Sequence, residues 1–196
     1  DGDGLAEVIA ATSGVHVDLS INMIVNDGFG LSGVIISVEN VTGSEFADML
    51  IGNNVANTLI GDEGDDTLNG GGNADRLDGG IGVDTLNGGS GTDTLIGGAG
   101  DDVMNGGAQS DTFVFTSGSG HDSISGFDAN PAGGQDFLDI SAYGITAVDF
   151  AARVVIVDLG PSLQVTIDAA EMITLLGVSG SGPNVITQAD FILGGP

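Results

Sequence analysis

Reading the chain in steps of nine from Gly43 brings eight blocks into phase without a gap: GSEFADMLI, GNNVANTLI, GDEGDDTLN, GGGNADRLD, GGIGVDTLN, GGSGTDTLI, GGAGDDVMN and GGAQSDTFV, ending at Val114. A strict short period constrains a fold more than any composition does. Every unit must fold as its neighbours do, and a stacked, quasi-one-dimensional array satisfies all of them at once. Phe115 and Thr116 interrupt the count, and the phase returns in SGSGHDSIS, residues 117 to 125.

Within a block, the eighth position is the apolar one: Leu50, Leu59, Leu68, Leu77, Leu86, Leu95, Met104 and Phe113. Its neighbours are mostly polar or β-branched, so a strand there points a single side chain inward. The first six positions are rich in Gly and read as a turn, the last three as the strand. Two blocks then make one coil of 18 residues, and successive blocks alternate between two facing sheets. Leu50, Leu68, Leu86 and Met104 are expected to stack on one sheet, with Leu59, Leu77, Leu95 and Phe113 on the other. The predicted fold is all-β, a parallel β-roll (a right-handed β-solenoid with two facing sheets) carrying β-rich flanking caps.

One inward side chain per strand does not offset the entropy of ordering nine residues, many of them Gly. Cohesion must also come from the turns, where the sixth position reads Asp48, Asn57, Asp66, Asp75, Asp84, Asp93, Asp102 and Asp111. An isolated Asp in a turn is ordinarily solvated, but a column of them spaced by one coil, about 4.8 Å apart, is a cation site in the making. With 28 Asp plus Glu against 2 Lys plus Arg and a formal charge of -26, the folded chain needs bound cations to offset its self-repulsion. Oxygen ligands without His or Cys suit a hard cation, and a flexible carbonyl cage favours Ca²⁺ over Mg²⁺.

The spacing gives five pairs with an acid at both ends: Asp48 with Asp66, Asp66 with Asp84, Asp84 with Asp102, Asp75 with Asp93, and Asp93 with Asp111. Asn57 with Asp75 is a weaker pair, and Asp102 with Asp122 joins if the turn absorbs the two-residue slip. Turn carbonyls complete the cage, with Gly64, Gly82, Gly91 and Gly100 at the fourth position as candidates. About five Ca²⁺ are expected, and up to eight if the degenerate ends also bind. Phe46, Val55, Asn73 and Gln109 replace Gly at that fourth position, so the central sites are expected to be the best. Asp111 is expected to lie near the end of its row.

The blocks match Gly-Gly-x-Gly-x-Asp-x-apolar-x, and the sequence therefore resembles the repeats-in-toxin (RTX) calcium-binding nonapeptide repeats of secreted bacterial exoproteins, a pattern known to bind calcium. The resemblance is strongest over residues 43 to 125. Beyond it, DTFVFTSGSGHDSISGFDANPAGGQDFLDIS is similar to the C-terminal domain of serralysin-type proteases and related exoproteins. That likeness implies Asp122, Asp128 and Asp136 as further calcium or capping residues. It also implies export by a type I secretion apparatus, unfolded in the calcium-poor cytoplasm and folding outside, and a secreted, extracellular or cell-surface location. The charge points to the same coupling of folding to metal.

The flanks have another texture. Residues 1 to 42 carry alternation at Val15, Val17, Leu19, Ile21, Met23 and Val25 and a second apolar run from Val34 to Val41. They read as strands covering the first coil, with His16 a partly buried strand residue. Residues 126 to 196 read as a β-rich C-terminal cap with one short helix near Gln188–Phe191, and as a candidate location of a secretion signal. The domain reading is thus an N-terminal flank over 1–42, a calcium-binding roll over 43–125 and a cap over 126–196.

The chain contains no Cys, no His-Glu-x-x-His, no Gly-x-Ser-x-Gly and no phosphate-binding loop, and its paired carboxylates are explained by the repeat. It is read as a noncatalytic module. The alternatives are a noncatalytic part of an extracellular hydrolase or alginate epimerase, and a self-associating S-layer or adhesin segment whose flat faces stack. A polyanion is a poor partner for nucleic acid, and no run of ~18 apolar residues spans a membrane.

Overall fold

The computed structural model describes residues 5–7, 12–130, 134–178 and 186–194. Among the described residues it is a parallel β-solenoid of two sheets, eight-stranded and 11-stranded, whose consecutive strands alternate between the two from Asn40–Thr42 to Phe137–Asp139. The coil length is as the period predicts. Leu68 pairs with Leu50 and Leu86, and Leu86 with Met104. Opposite them, Leu59, Leu77, Leu95 and Phe113 stack in register. All eight side chains are buried at 0 or 1% exposure, two columns facing each other across the roll.

The strands are longer than the sequence suggests. Thr67–Gly72, Arg76–Ile81, Thr85–Ser90, Thr94–Ala99 and Val103–Ala108 each run six residues. They begin at the seventh position of one block and end at the third position of the next, leaving only positions four to six as the turn. The expectation of a six-residue turn fails because parallel pairing needs only backbone groups, which the glycines supply as well as any residue. The second position keeps its turn-like character: Gly71, Gly80, Gly89, Gly98 and Gly107 have φ near +100°. The first position requires Gly for a different reason. A Cβ on Gly88 would lie 2.5 Å from Asp93 Oδ2 and 2.6 Å from the Gly106 carbonyl.

The parallel ladder extends past the nonapeptides at both ends. Upstream, Val17 stacks on Leu50 and Val41 on Leu59. Downstream, Ile124 follows Met104 and Leu175 follows Ile124, while Leu138 and then Phe191 follow Phe113. The two-residue slip is absorbed in the turn, as Ile124 still pairs with Met104. Each end of the 11-stranded sheet then changes to antiparallel pairing. His16–Asp18, Met23–Asn26 and Gly33–Val34 form one meander, and Glu171–Leu176, Ser162–Ile167 and Val154–Asp158 form the other.

The N-terminal alternation is therefore interrupted. Val15, Val17 and Leu19 are buried, but a turn with Asn22 at φ 57 follows, and Ile21 and Val25 are exposed. His16 lies on a strand as expected. The expected helix near Gln188 is a single 3-10 turn, Gln188–Asp190, capped by Thr187, before the strand Phe191–Ile192. A short α-helix at Phe150–Arg153 was not foreseen.

Candidate metal centres along the two edges

The turns place the sixth-position residues in two columns, one on each edge of the roll. In the first, the Asp48 amide donates to Asp66 Oδ1 (2.8 Å), Asp66 to Asp84 (2.8 Å), Asp84 to Asp102 (2.8 Å) and Asp102 to Asp122 (2.9 Å). In the second, Asn57 donates to Asp75 (2.7 Å), Asp75 to Asp93 (2.8 Å), Asp93 to Asp111 (2.9 Å) and Asp111 to Asp136 (2.9 Å). One oxygen of each carboxylate is thereby used to hold the preceding coil. Asp111 lies near the end of its row, next to last, because Asp136, 25 residues on, takes the final place.

The other oxygen separates the centre from the ends. Oδ2 of Asp66, Asp75, Asp84, Asp93, Asp102 and Asp111 is buried and has no hydrogen-bond partner among the described residues. At the ends the protein fills this role itself. Asp48 accepts from the Val15 and Ser44 amides and from the Ser44 hydroxyl. Asn57 Oδ1 accepts from the Asn53 amide, and its Nδ2 donates to Glu39. Asp136 accepts from the Asp111 and Asp128 amides. Asp128 stands outside both columns and closes its own turn by accepting from the Asn130 amide (2.8 Å).

Buried carboxylates without donors are held away from water at a cost, and their acidity reports it. Burial, opposed by the amide from the preceding coil and reinforced by neighbouring carboxylates, pushes Asp66, Asp111 and Asp122 up to about 7. It pushes Asp75, Asp102 and Asp136 up to about 6 and also raises Asp84 and Asp93. Only a bound proton or a bound cation relieves the partnerless column oxygens of Asp66 to Asp111, since among the described residues no Arg side chain pairs with them. Arg76 pairs with Asp78, and Arg153 with Asp149 and Asp168.

Carbonyl oxygens stack along the same edges. The fourth-position glycines Gly64, Gly82, Gly91 and Gly100 have φ between 125 and 150, and a Cβ at each would collide with the carbonyl group of the equivalent residue in the preceding coil. Asn73 and Gln109 take positive φ (69 and 85) at this position despite their side chains. Among the described residues no three His, Asp or Glu side chains converge on one point. A cation here would therefore be held by at most two carboxylates, with carbonyls for the rest, a donor set that fits Ca²⁺.

Three acids outside the columns do more than the sequence suggests. Asp65 accepts from the Val83 amide and Asp101 from the His121 amide, each tying one coil to the next. Glu171, 7% exposed, accepts from the amides of Gly118 and Gly120, more than 50 residues earlier. The first two follow from their fifth position beside the column, whereas nothing local marks Glu171.

The array is matched by the family profile of the RTX calcium-binding nonapeptide repeat over residues 42–77, 51–86 and 78–113, and this stretch is an RTX repeat array. Similar solved structures include two subunits of the Azotobacter vinelandii mannuronan C5-epimerase. AlgE6R3 is 23% identical (TM-score 0.47, covering 72% of this chain and 80% of that one), and AlgE6R2 is also 23% identical (TM-score 0.47, covering 80% and 94%). The extracellular lipase LipA of Serratia marcescens is 17% identical (TM-score 0.36), and the match covers 79% of this chain and 40% of the lipase. No curated protein matches the chain.

Proposed function

We propose that these RTX repeats form a noncatalytic, calcium-responsive module of a secreted protein, one that stays open while calcium is scarce and folds where calcium is abundant. The observation that carries this reading is the set of six buried carboxylate oxygens without partners, three on each edge, at Asp66, Asp84 and Asp102 and at Asp75, Asp93 and Asp111. Their neighbours Asp48, Asn57 and Asp136 are already satisfied by protein donors, so the central coils are where metal contributes most. We place about five Ca²⁺, four in the central pairs and one between Asp48 and Asp66, and up to eight if the Asn57–Asp75, Asp102–Asp122 and Asp111–Asp136 pairs also bind. The carbonyls of Gly64, Gly82, Gly91 and Gly100 serve as neutral ligands.

An unfolded polyanion of charge -26 is a passable cargo for a type I secretion apparatus, and folding on calcium outside the cell would both drive export and stabilise the exported protein. Circular dichroism tests the coupling. In excess chelator the chain is expected to lose most of its β signal, to regain it on Ca²⁺ titration and to regain much less with Mg²⁺. An unchanged β spectrum in chelator would sink the reading.

A further inference from the structure

We propose that Asn69, Asn87 and Asn105 are sites of spontaneous deamidation that the folded roll suppresses, so that time spent without calcium is recorded covalently in the chain. The inference rests on calcium-coupled folding. Its starting point is a conflict built into the repeat. The first position of each block must be Gly, because a Cβ there would meet the Asp column and the next coil's carbonyl, as at Gly88. Wherever the ninth position is Asn, the sequence then reads Asn-Gly, and this occurs at Asn69, Asn87 and Asn105. Every other Asn in the chain precedes a residue with a side chain.

Asn-Gly is the most reactive of such pairs, since Gly leaves the following amide unhindered and conformationally free. The Gly nitrogen attacks Cγ of the Asn side chain, a C–N bond forms and ammonia leaves. Water then opens the resulting five-membered imide at either carbonyl, giving Asp or isoaspartate. The folded roll opposes the first step. Asn69, Asn87 and Asn105 lie in register on parallel strands, half-buried, with their backbone extended and paired on both sides. The equivalent first-position amides of Gly43 and Gly52 are engaged, donating to the Ile60 and Asn69 carbonyls at 2.8 and 2.7 Å. Attack requires such an amide to be released and the strand to bend, which happens only on opening of the coil.

The product matters because isoaspartate adds a backbone atom in the middle of a six-residue strand. The residues beyond it shift off their inward and outward faces. A chain damaged at Asn87 loses the register that pairs Gly89 with Gly71 and Gly107, and Ser90 with Gly72 and Ala108.

The experiment ages the protein at neutral pH in Ca²⁺, in chelator, and in chelator with urea, following circular dichroism and mapping deamidation and isoaspartate by peptide mass spectrometry. Asn40, before Val41, and Asn57, before Thr58, serve as internal comparisons. The expected result is conversion concentrated at Asn69, Asn87 and Asn105 in both calcium-free samples, and at least roughly tenfold slower in Ca²⁺. Aged chains should refold less completely on adding Ca²⁺, and the Asn69→Ser/Asn87→Ser/Asn105→Ser variant should be spared that loss. Conversion no faster at these three than at Asn40 and Asn57 in urea would overturn the site assignment. Equal rates in Ca²⁺ and urea would overturn protection by the fold. A chelated sample that stays folded and protected while the urea sample converts supports protection and instead defeats the calcium-coupled reading.

Discussion

The central coils and the C-terminal meander belong to one continuous sheet but are held together differently. In the coils, each six-residue strand buries one large side chain, such as Leu68 in Thr67–Gly72 or Leu86 in Thr85–Ser90. In the meander, Ser162–Ile167 buries Leu163, Val165 and Ile167, and Glu171–Leu176 buries Ile173 and Leu175. The meander's turn is closed by Arg153 on Asp168 at 2.6 Å, whereas in the coil turns one oxygen of each column carboxylate from Asp66 to Asp111 has no partner among the described residues. A strand with two or three buried aliphatic groups gains several kcal/mol from burial, about 2 kcal/mol for each. A strand with one depends on its edges. Under the proposed function, moving cohesion from the face to the turns makes the sheet conditional on a ligand over part of its length.

The largest effect that would break this comparison is uniform unfolding in chelator. Hydrogen exchange is expected to lose protection across Thr67–Ala108 while amides in Ser162–Ile167 and Glu171–Leu176 retain more of it. Loss in both at the same rate would mean that the meander has no cohesion of its own.

Next in size is the difference between two acids of the columns. Asp84→Asn keeps an acceptor for the Asp66 amide but removes charge from the centre of a row. The calcium midpoint for folding should rise roughly tenfold, with a shallower transition. Asp136→Asn disturbs a carboxylate whose oxygens both already accept amides. Its expected cost is about 1 kcal/mol, with at most the one terminal calcium lost. Equal midpoint shifts, measured by titration at one ionic strength, would remove the distinction between centre and end.

The third effect is on pH. The column carboxyls have folded values raised to about 6 and about 7, above the ordinary 3.8. The metal-free fold therefore binds more protons than the unfolded chain, and its stability rises as pH falls through the folded values, levelling off below the unfolded one. In chelator, β signal should increase between pH 8 and pH 5, as protons partly replace the metal, while calcium affinity falls over the same range. Metal-free β content that decreases steadily on acidification would contradict the burial described for the columns.

The smallest expected effect concerns backbone strain at Gln109, φ 85, where the central repeats have Gly. Gln109→Gly should stabilise the calcium-loaded roll by a few tenths to about 1 kcal/mol, the left-handed penalty less the added chain entropy of Gly. Thermal melts in saturating Ca²⁺ would register it.

The coil length, the two Leu columns and the Asp rows are legible in the sequence because a period of nine repeats the same physical problem many times. What the period hides is anything solved once. Asp136 completes a row from 25 residues beyond Asp111, and Glu171 caps the Gly118 and Gly120 amides from across the cap, with no spacing to announce either. The strands are longer than their Gly content suggests because Gly signals a turn by its φ, yet here it also extends parallel ladders whose bonds need no side chain. The texture change near residues 43 and 126 marks where Gly stops punctuating the turns, while the inward stack continues through Val17 and Val41 at one end and Leu138 and Leu175 at the other.

Alternation of strands between the two sheets also sets how such a gene can lengthen or shorten. Duplicating 18 residues inserts a whole coil and returns every later strand to its own sheet, so Glu171–Leu176 still meets the face it was shaped for. Duplicating nine would carry His121–Ser125 and Glu171–Leu176 together to the opposite side, so the terminal meander would keep its partner but no longer share a sheet with the N-terminal one. Additions within a turn are tolerated at other lengths, as the step from Asp102 to Asp122 already demonstrates. The pair of repeats is therefore the unit of growth that keeps the two meanders on one sheet, and a single-repeat change is expected to turn one of them to the other side.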